Sequence, residues 1–196
     1  MARIPKITNE QILEAAREVF LEKGFSGSTL EIAARSGVSE ASIFKRFSTK
    51  EELFFTAMGI PETLVWVNEL ETLVGKGNLK ENLIQICLRI LEFHREVMPR
   101  VMMLQSRGKI PTPEIPKPKL IQHVNALTAF LEREMKQGRL RHCDPKTIAH
   151  LLLGSLMNYV LSEHIGIQVS MPTTEQEFVQ CLVEILWQGI APVKHE

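Results

Sequence analysis

The stretch SGVSEASIFKRFSTKEEL, Ser36 to Leu53, sets Lys45, Arg46 and Lys50 beside the small or short polar side chains Ser39, Ala41 and Ser42, directly after a glycine turn at Gly37. These residue types supply neither a nucleophile with its base nor a set of metal ligands. They can contact a polyanion: cations neutralise phosphates, and short side chains let base edges come close. That chemistry works only if the backbone holds the group on one rigid face, so the elements around it decide the reading.

The 196-residue chain is 44% hydrophobic, ample for a packed core, and balances 23 cations against 23 acids. A non-specific nucleic-acid coat would be more basic. Asp144 is the only aspartate, and glutamate supplies every other acid. Glutamate suits helix interiors where aspartate suits caps and turns, so the bias predicts helix nearly throughout. It also removes the raw material for aspartate triads and carboxylate metal sites. Three cysteines at irregular spacing make no disulfide framework; Cys87 and Cys181, within apolar helical patterns, read as small core residues of a reducing compartment. The start MARIPKITNEQ has no apolar segment of the signal-peptide kind, and LLLGSLMNYVL is too short to span a bilayer. The expected location is cytoplasmic.

Helix starts are marked by capping boxes at Thr8/Gln11, Ser28/Glu31, Thr49/Glu52, Asn78/Glu81 and Thr174/Glu177, and by Asp144 before Pro145. No stretch alternates as a strand would, so the fold class is all-α. Short helices are expected over about Asn9–Lys23, Thr29–Ser36 and Ser39–Phe47, with a fourth from Thr49 to at least Met58 and a break at Gly59–Pro61. Longer ones follow over about Thr63–Val74, Lys80–Glu96, Val97–Arg107, Leu120–Gln137, Lys146–Ile165 and Glu175–Gly189. The proline run KIPTPEIPKPK reads as a stiff loop, its Pro113-x-x-Pro116 a weaker match to a polyproline ligand.

A helix, a tight glycine turn and a second capped helix make a helix-turn-helix. In the second helix Ile43 and Phe47 lie four apart and face inward. Glu40, Ala41, Ser42, Phe44, Lys45 and Arg46 are left for the exposed side, with Lys50 placed for the adjacent backbone.

Three ordered segments, ILEAAREVFLEKGF, STLEIAARSGVS and IFKRFSTKEEL, together resemble the tetracycline-repressor (TetR) family of bacterial transcription regulators. The resemblance covers Ile12 to Leu53 by motif and the remainder by length and helical content. It implies a helix-turn-helix DNA-binding domain over residues 1–55 and a helical effector-binding and dimerisation domain over 56–196. By the same resemblance Ser28 and Thr29 would meet phosphate. Ser39, Glu40, Ala41 and Ser42 would meet base edges, Phe44, Lys45 and Arg46 base edge or phosphate, and Lys50 phosphate. Phe44 stands where the family commonly has tyrosine, and Arg46 replaces a usual aromatic or histidine. Arg46 could bind guanine bidentately, and Glu40 could accept from a cytosine amino group.

The resemblance further implies a homodimer through the last two helices and a mainly apolar small-molecule effector. HLLLGSLMNYVLSEH is apolar nearly all round, and the last helix covers two faces. Leu151, Gly154, Ser155, Val179, Leu182 and Leu186 are the candidate seam. Trp66, Phe93, His94, Met98, Met102, Met103, Phe130, Asn158 and Tyr159 are the candidate effector residues, methionine being able to fit variable apolar shapes. No histidine or cysteine pair has ligand spacing, so no metal and no cofactor is expected. No Gly-x-Ser-x-Gly motif points to an enzyme. The expected function is a ligand-released repressor on a near-palindromic operator; the alternative is a helical scaffold whose helix-turn-helix binds no DNA.

Overall fold

The structure, a computed structural model, describes residues 8–59, 65–106, 117–167 and 174–190, giving backbone alone at 117–121 and 190. Ile60 and Pro61 of the expected break, Thr63, Arg107 and the Pro113–Pro116 segment lie outside the described residues. The described helices are α1 (Asn9–Lys23), α2 (Thr29–Ser36), α3 (Glu40–Phe44), α4 (Lys50–Ala57), α5 (Val65–Leu73), α6 (Leu79–Ser106), α7 (Lys117–Lys136), α8 (Pro145–His164) and α9 (Glu175–Ile190). A 3-10 turn, Gly24–Ser26, follows α1. No strand occurs among the described residues, and the fold is all-α.

Side-chain caps start the helices where the sequence places them. Thr8 Oγ1 accepts from the Gln11 amide at 3.3 Å, and Gln11 Oε1 accepts from the Thr8 amide at 2.9 Å. Thr174 and Glu177 repeat this reciprocal pair. At α2 a simple cap replaces the expected box: Ser28 Oγ accepts from Leu30 N rather than Glu31 N, and the Glu31 carboxylate is drawn to Lys23 and Arg35. Charge-assisted bonds outcompete a backbone amide there.

The described residues divide into two compact units, one holding 8–59 and 99–106, the other 65–98, 117–167 and 174–190. The first unit thus runs past residue 55 through all of α4, whose Leu53, Phe54 and Ala57 are fully buried. Its core also takes Ile12, Ala16, Val19 and Phe20 from α1, Ile32 from α2 and Ile43 from α3, each 0% exposed. Phe54 sits edge-on to Phe20 and Phe25, with ring centroids 5.1 and 5.3 Å apart.

The second unit is a helical bundle cored by residues such as Leu70 of α5, Ile90 and Leu91 of α6, Leu127 and Phe130 of α7, Leu156 of α8 and Val179 of α9. Ion pairs stitch its rim: Arg133 to Glu71, Lys80 to Glu184, and Arg95 to both Glu163 and Glu175. Glu134 is fully buried, with one carboxylate oxygen accepting from Gly75 N at 2.7 Å and the other 3.2 Å from Arg139 Nε.

Three expectations change. The two helices expected over 80–96 and 97–107 are one, α6, with Pro99 inside it. Proline removes one rung of the ladder and crowds the Arg95 carbonyl, but Val97, Arg100 and Leu104, all buried, anchor the chain on both sides. The proline run is not wholly loop, because α7 begins at Lys117 and carries Pro118 in its first turn, where no amide donor is needed. Cys181 is exposed rather than a core residue, whereas Cys87 is buried.

Gly27 shows how closely α1 and the start of α2 approach. A Cβ added there would stand 2.7 Å from Val19 Cγ1 and 3.2 Å from the Val19 carbonyl oxygen. Gly27→Ala should therefore lower unfolding free energy by about 1–3 kcal/mol through overpacking, read as a lower urea midpoint at unchanged slope.

Candidate functional site

The helix-turn-helix is built by α2, a turn and α3. Gly37 adopts φ 70°, the left-handed conformation glycine tolerates, and its amide closes α2 on the Ala33 and Ala34 carbonyls. Ser39 then caps α3, its Oγ accepting from Ser42 N at 3.2 Å and lying 2.8 Å from Ser42 Oγ. The regular helix is five residues, ending at Phe44 rather than Phe47. One more turn follows, because Arg46 N and Phe47 N both donate to the Ile43 carbonyl.

The partition of this segment is sharp. Ile43 and Phe47 are buried at 0% and 6% exposure. Ala41, Phe44, Lys45 and Arg46 are exposed, and Ser42 is half-buried. Thr29 Oγ1 donates to the Glu40 carboxylate, tying the start of α2 to the start of α3. Glu40 therefore spends one oxygen on holding the motif together. Arg46 Nη1 donates to Asn9 Oδ1 at 3.2 Å, and Lys50 Nζ rests 4.9 Å from the Phe25 ring centroid. The sequence places Asn9 at the start of the first helix and Phe25 folded back on its end, but does not reveal their contacts with Arg46 and Lys50.

On α1 and α2 the arginines are matched by acids. Arg35 binds Glu22 and Glu31 and lies 3.5 Å from Glu18, and Arg17 binds Glu14. The Arg35 guanidinium, first through its hydrogen bonds, holds the Glu22 carboxyl below the usual range; Lys23, then Arg35, do so for Glu31.

Four rings of the second unit form a chain. Trp66 of α5 stands edge-on to His123 of α7 (5.7 Å between centroids), His123 edge-on to Phe93 of α6 (5.3 Å), and Phe93 beside His94 (5.9 Å). Trp66 and His123 are buried. Trp66 Nε1 and His94 Nδ1 are sealed from solvent without a hydrogen-bond partner among the described residues, which costs about 1–3 kcal/mol for each such group. Burial first, and then the neighbouring His123, pull the His94 imidazole from 6.5 down to about 4, and burial lowers His123 as well. His123 was not singled out in the sequence, although it lies one turn before the core residue Leu127.

The other expected effector residues divide. Phe130 and Tyr159 are buried in the same core, Tyr159 stacked on Phe178 at 4.5 Å. Met98 packs on this core, but Met103 packs on the core of the first unit and Met102 is half-buried, so the three methionines do not form one cluster. Five residues along α6 turn a side chain more than a quadrant around the axis. Asn158 is exposed, on the same side of α8 as Leu151 and Gly154, and does not face the rings.

Of the expected seam, Leu151 (51%) and Gly154 are exposed, Ser155, Leu182 and Leu186 are half-buried, and Val179 is 0% exposed. Val179 belongs to the core of its own chain. Met157 on α8 and Ile185 on α9, 45% and 70% exposed, extend the apolar surface and went unmarked in the sequence. No group of three metal-ligating side chains occurs among the described residues, and no helix there is long and apolar enough to cross a membrane.

A capped helix-turn-helix with an exposed, cation-bearing second helix, followed by an all-helical second unit, is the architecture of helix-turn-helix transcription regulators. Residues 12–57 match the family described as bacterial regulatory proteins, tetR family. The chain is 24% identical over 163 residues to the HTH-type transcriptional repressor AcnR of Corynebacterium glutamicum, covering 81% of this chain and 82% of that protein. Among solved structures it is similar to a TetR-family transcriptional regulator from Mesorhizobium loti, with TM-score 0.68, 18% identity, and coverage of 93% and 96% of the two chains. It is also similar to the transcriptional regulator FadR from Bacillus subtilis in complex with stearoyl-CoA, with TM-score 0.66, 18% identity, and coverage of 93% and 99%. The match to that family thus runs from Ile12 of α1 through the end of α4, and beyond it the chain is similar to such regulators in fold.

The buried imidazoles give a pH signature. A histidine whose folded pKa lies below its unfolded value favours the native state fully above about pH 6.5 and loses that contribution as pH falls toward 4. Urea midpoints should therefore drop between pH 7 and pH 5, before most carboxylates titrate, and His94→Gln should flatten that slope.

Proposed function

We propose that this protein is a repressor that binds a near-palindromic operator as a homodimer and is released by a mainly apolar small molecule. Residues 1–55 carry the reading function, and 56–196 carry effector binding and dimerisation. The observation that carries this reading is the two-sidedness of α3: Ile43 and Phe47 are anchored in the core while Ala41, Phe44, Lys45 and Arg46 face solvent.

Small Ala41 and Ser42 admit the helix to a major groove, Arg46 and Lys45 meet guanine or phosphate, and Ser28, Thr29, Ser39 and Lys50 meet the flanking backbone. Phe44 offers apolar contact only. Because Thr29 has committed its hydroxyl proton to Glu40, Thr29 meets phosphate through its backbone amide, and Glu40 reads a cytosine with the oxygen that remains. The name of AcnR makes that relative a repressor, and the FadR structure holds stearoyl-CoA in a chain of the same fold; both support the regulatory and ligand-binding halves of the reading. The apolar exposed surface of Leu151, Met157 and Ile185, with nothing within 4 Å of a Cβ placed on Gly154, supports a partner helix packed closely there.

A gel shift on the DNA upstream of its own gene tests the first half. The triple variant Lys45→Ala, Arg46→Ala, Lys50→Ala should lose at least tenfold in affinity, and each lost phosphate contact should lower the salt slope by about 0.9. Unchanged affinity would instead favour the helical scaffold that binds no DNA. For the dimer, paired reading helices should lie about 34–36 Å apart. Ile185→Glu should give a monomer by sedimentation whose fold is intact by circular dichroism and whose operator affinity is much weakened.

A further inference from the structure

We propose that the effector of this regulator is an uncharged apolar molecule bearing a carbonyl-type acceptor, and that Trp66 donates to that acceptor. This rests on the ligand-responsive reading above and specifies its chemistry.

An indole N–H is a donor and nothing else, and that of Trp66 is buried with no acceptor among the described residues. His94 Nδ1, equally sealed, stands at the other end of the chain of rings through Phe93 and His123. α5 and α6 thus each hold a buried polar atom that nothing among the described residues satisfies, beside a chain of aromatic rings. Buried polar groups are ordinarily paired. A ligand carbonyl suits the Trp66 donor, and its apolar remainder suits the rings.

Charge separates this head from a carboxylate. The imidazoles of His94 and His123 are held neutral by burial, so neither supplies a positive charge at neutral pH. The adjacent cation on α6, Arg95, is occupied by Glu163 and Glu175 at 3.1 and 2.7 Å. A carboxylate buried among these rings would lack a counter-charge, which is far costlier than burying a carbonyl.

The test uses three probes of nearly one shape: benzylacetone (carbonyl), butylbenzene (no polar atom) and hydrocinnamate (carboxylate), titrated calorimetrically at pH 7. Benzylacetone should bind about tenfold tighter than butylbenzene, the value of one net hydrogen bond, and hydrocinnamate weakest of the three. Trp66→Phe should abolish the preference of benzylacetone over butylbenzene. In case that variant fails to fold, Trp187→Phe leaves Trp66 as the only indole, and its Nε1–H resonance should move with benzylacetone and stay with butylbenzene. Equal binding of the first two probes, tightest binding of hydrocinnamate, or no binding by any at millimolar concentration would overturn the inference. A gel shift run on the same samples keeps the two readings apart: intact operator binding with failed probe selectivity removes only the effector chemistry, whereas absent operator binding by the wild type removes the regulator reading itself.

Discussion

A five-residue helix has no stability of its own, because nucleation fixes several residues for a single hydrogen bond. α3 exists because Ile43 and Phe47 are clamped by the core that α1, α2 and α4 share, and because Ser39 caps one end while the Thr29–Glu40 bond fixes its direction against α2. Everything exposed on that helix depends on what is buried beneath it. The close approach at Gly27 and the left-handed turn at Gly37 serve the same end, bringing α2 and α3 to the one separation at which Ile43 can reach the core.

Much of this was legible in the residues. Capping side chains and the 3.6-residue apolar period located most helices within a few positions, and the resemblance over Ile12–Leu53 placed the helix-turn-helix. What escaped was decided by packing. Pro99 reads as a stop in isolation, yet buried neighbours on both sides carried the helix through it. Which face of α8 and α9 turns inward was equally hidden, because both are apolar on more than one side. Val179 and Asn158 were thus assigned to the wrong faces, and Met157 and Ile185 were overlooked.

The second unit illustrates a different limit. Counting aromatics and methionines suggested a lining for a ligand, but the informative feature was polar: an indole and two imidazoles converging from three helices. No local pattern encodes that meeting, since Trp66 and His123 lie far apart in the sequence. His123 sits at a core position of α7, where a leucine would satisfy the helix period equally well. The choice of histidine there is therefore a statement about its ring neighbours rather than about the helix.

The acids of α1 have an effect that reaches beyond any single contact. Glu10, Glu14, Glu18 and Glu22 are spaced four apart and all exposed, a stripe of carboxylates along one side of the helix. Arg17 and Arg35 offset them locally, while Lys45 stands exposed on α3. Charge on the first unit is therefore unevenly spread, α1 carrying more acids than bases. A polyanion drifting within about a Debye length, roughly 8–10 Å at ordinary salt, exerts a torque on such a body before it touches it. If α3 is the reading helix, as proposed, such a torque acts before any contact forms and favours encounters that begin on its side.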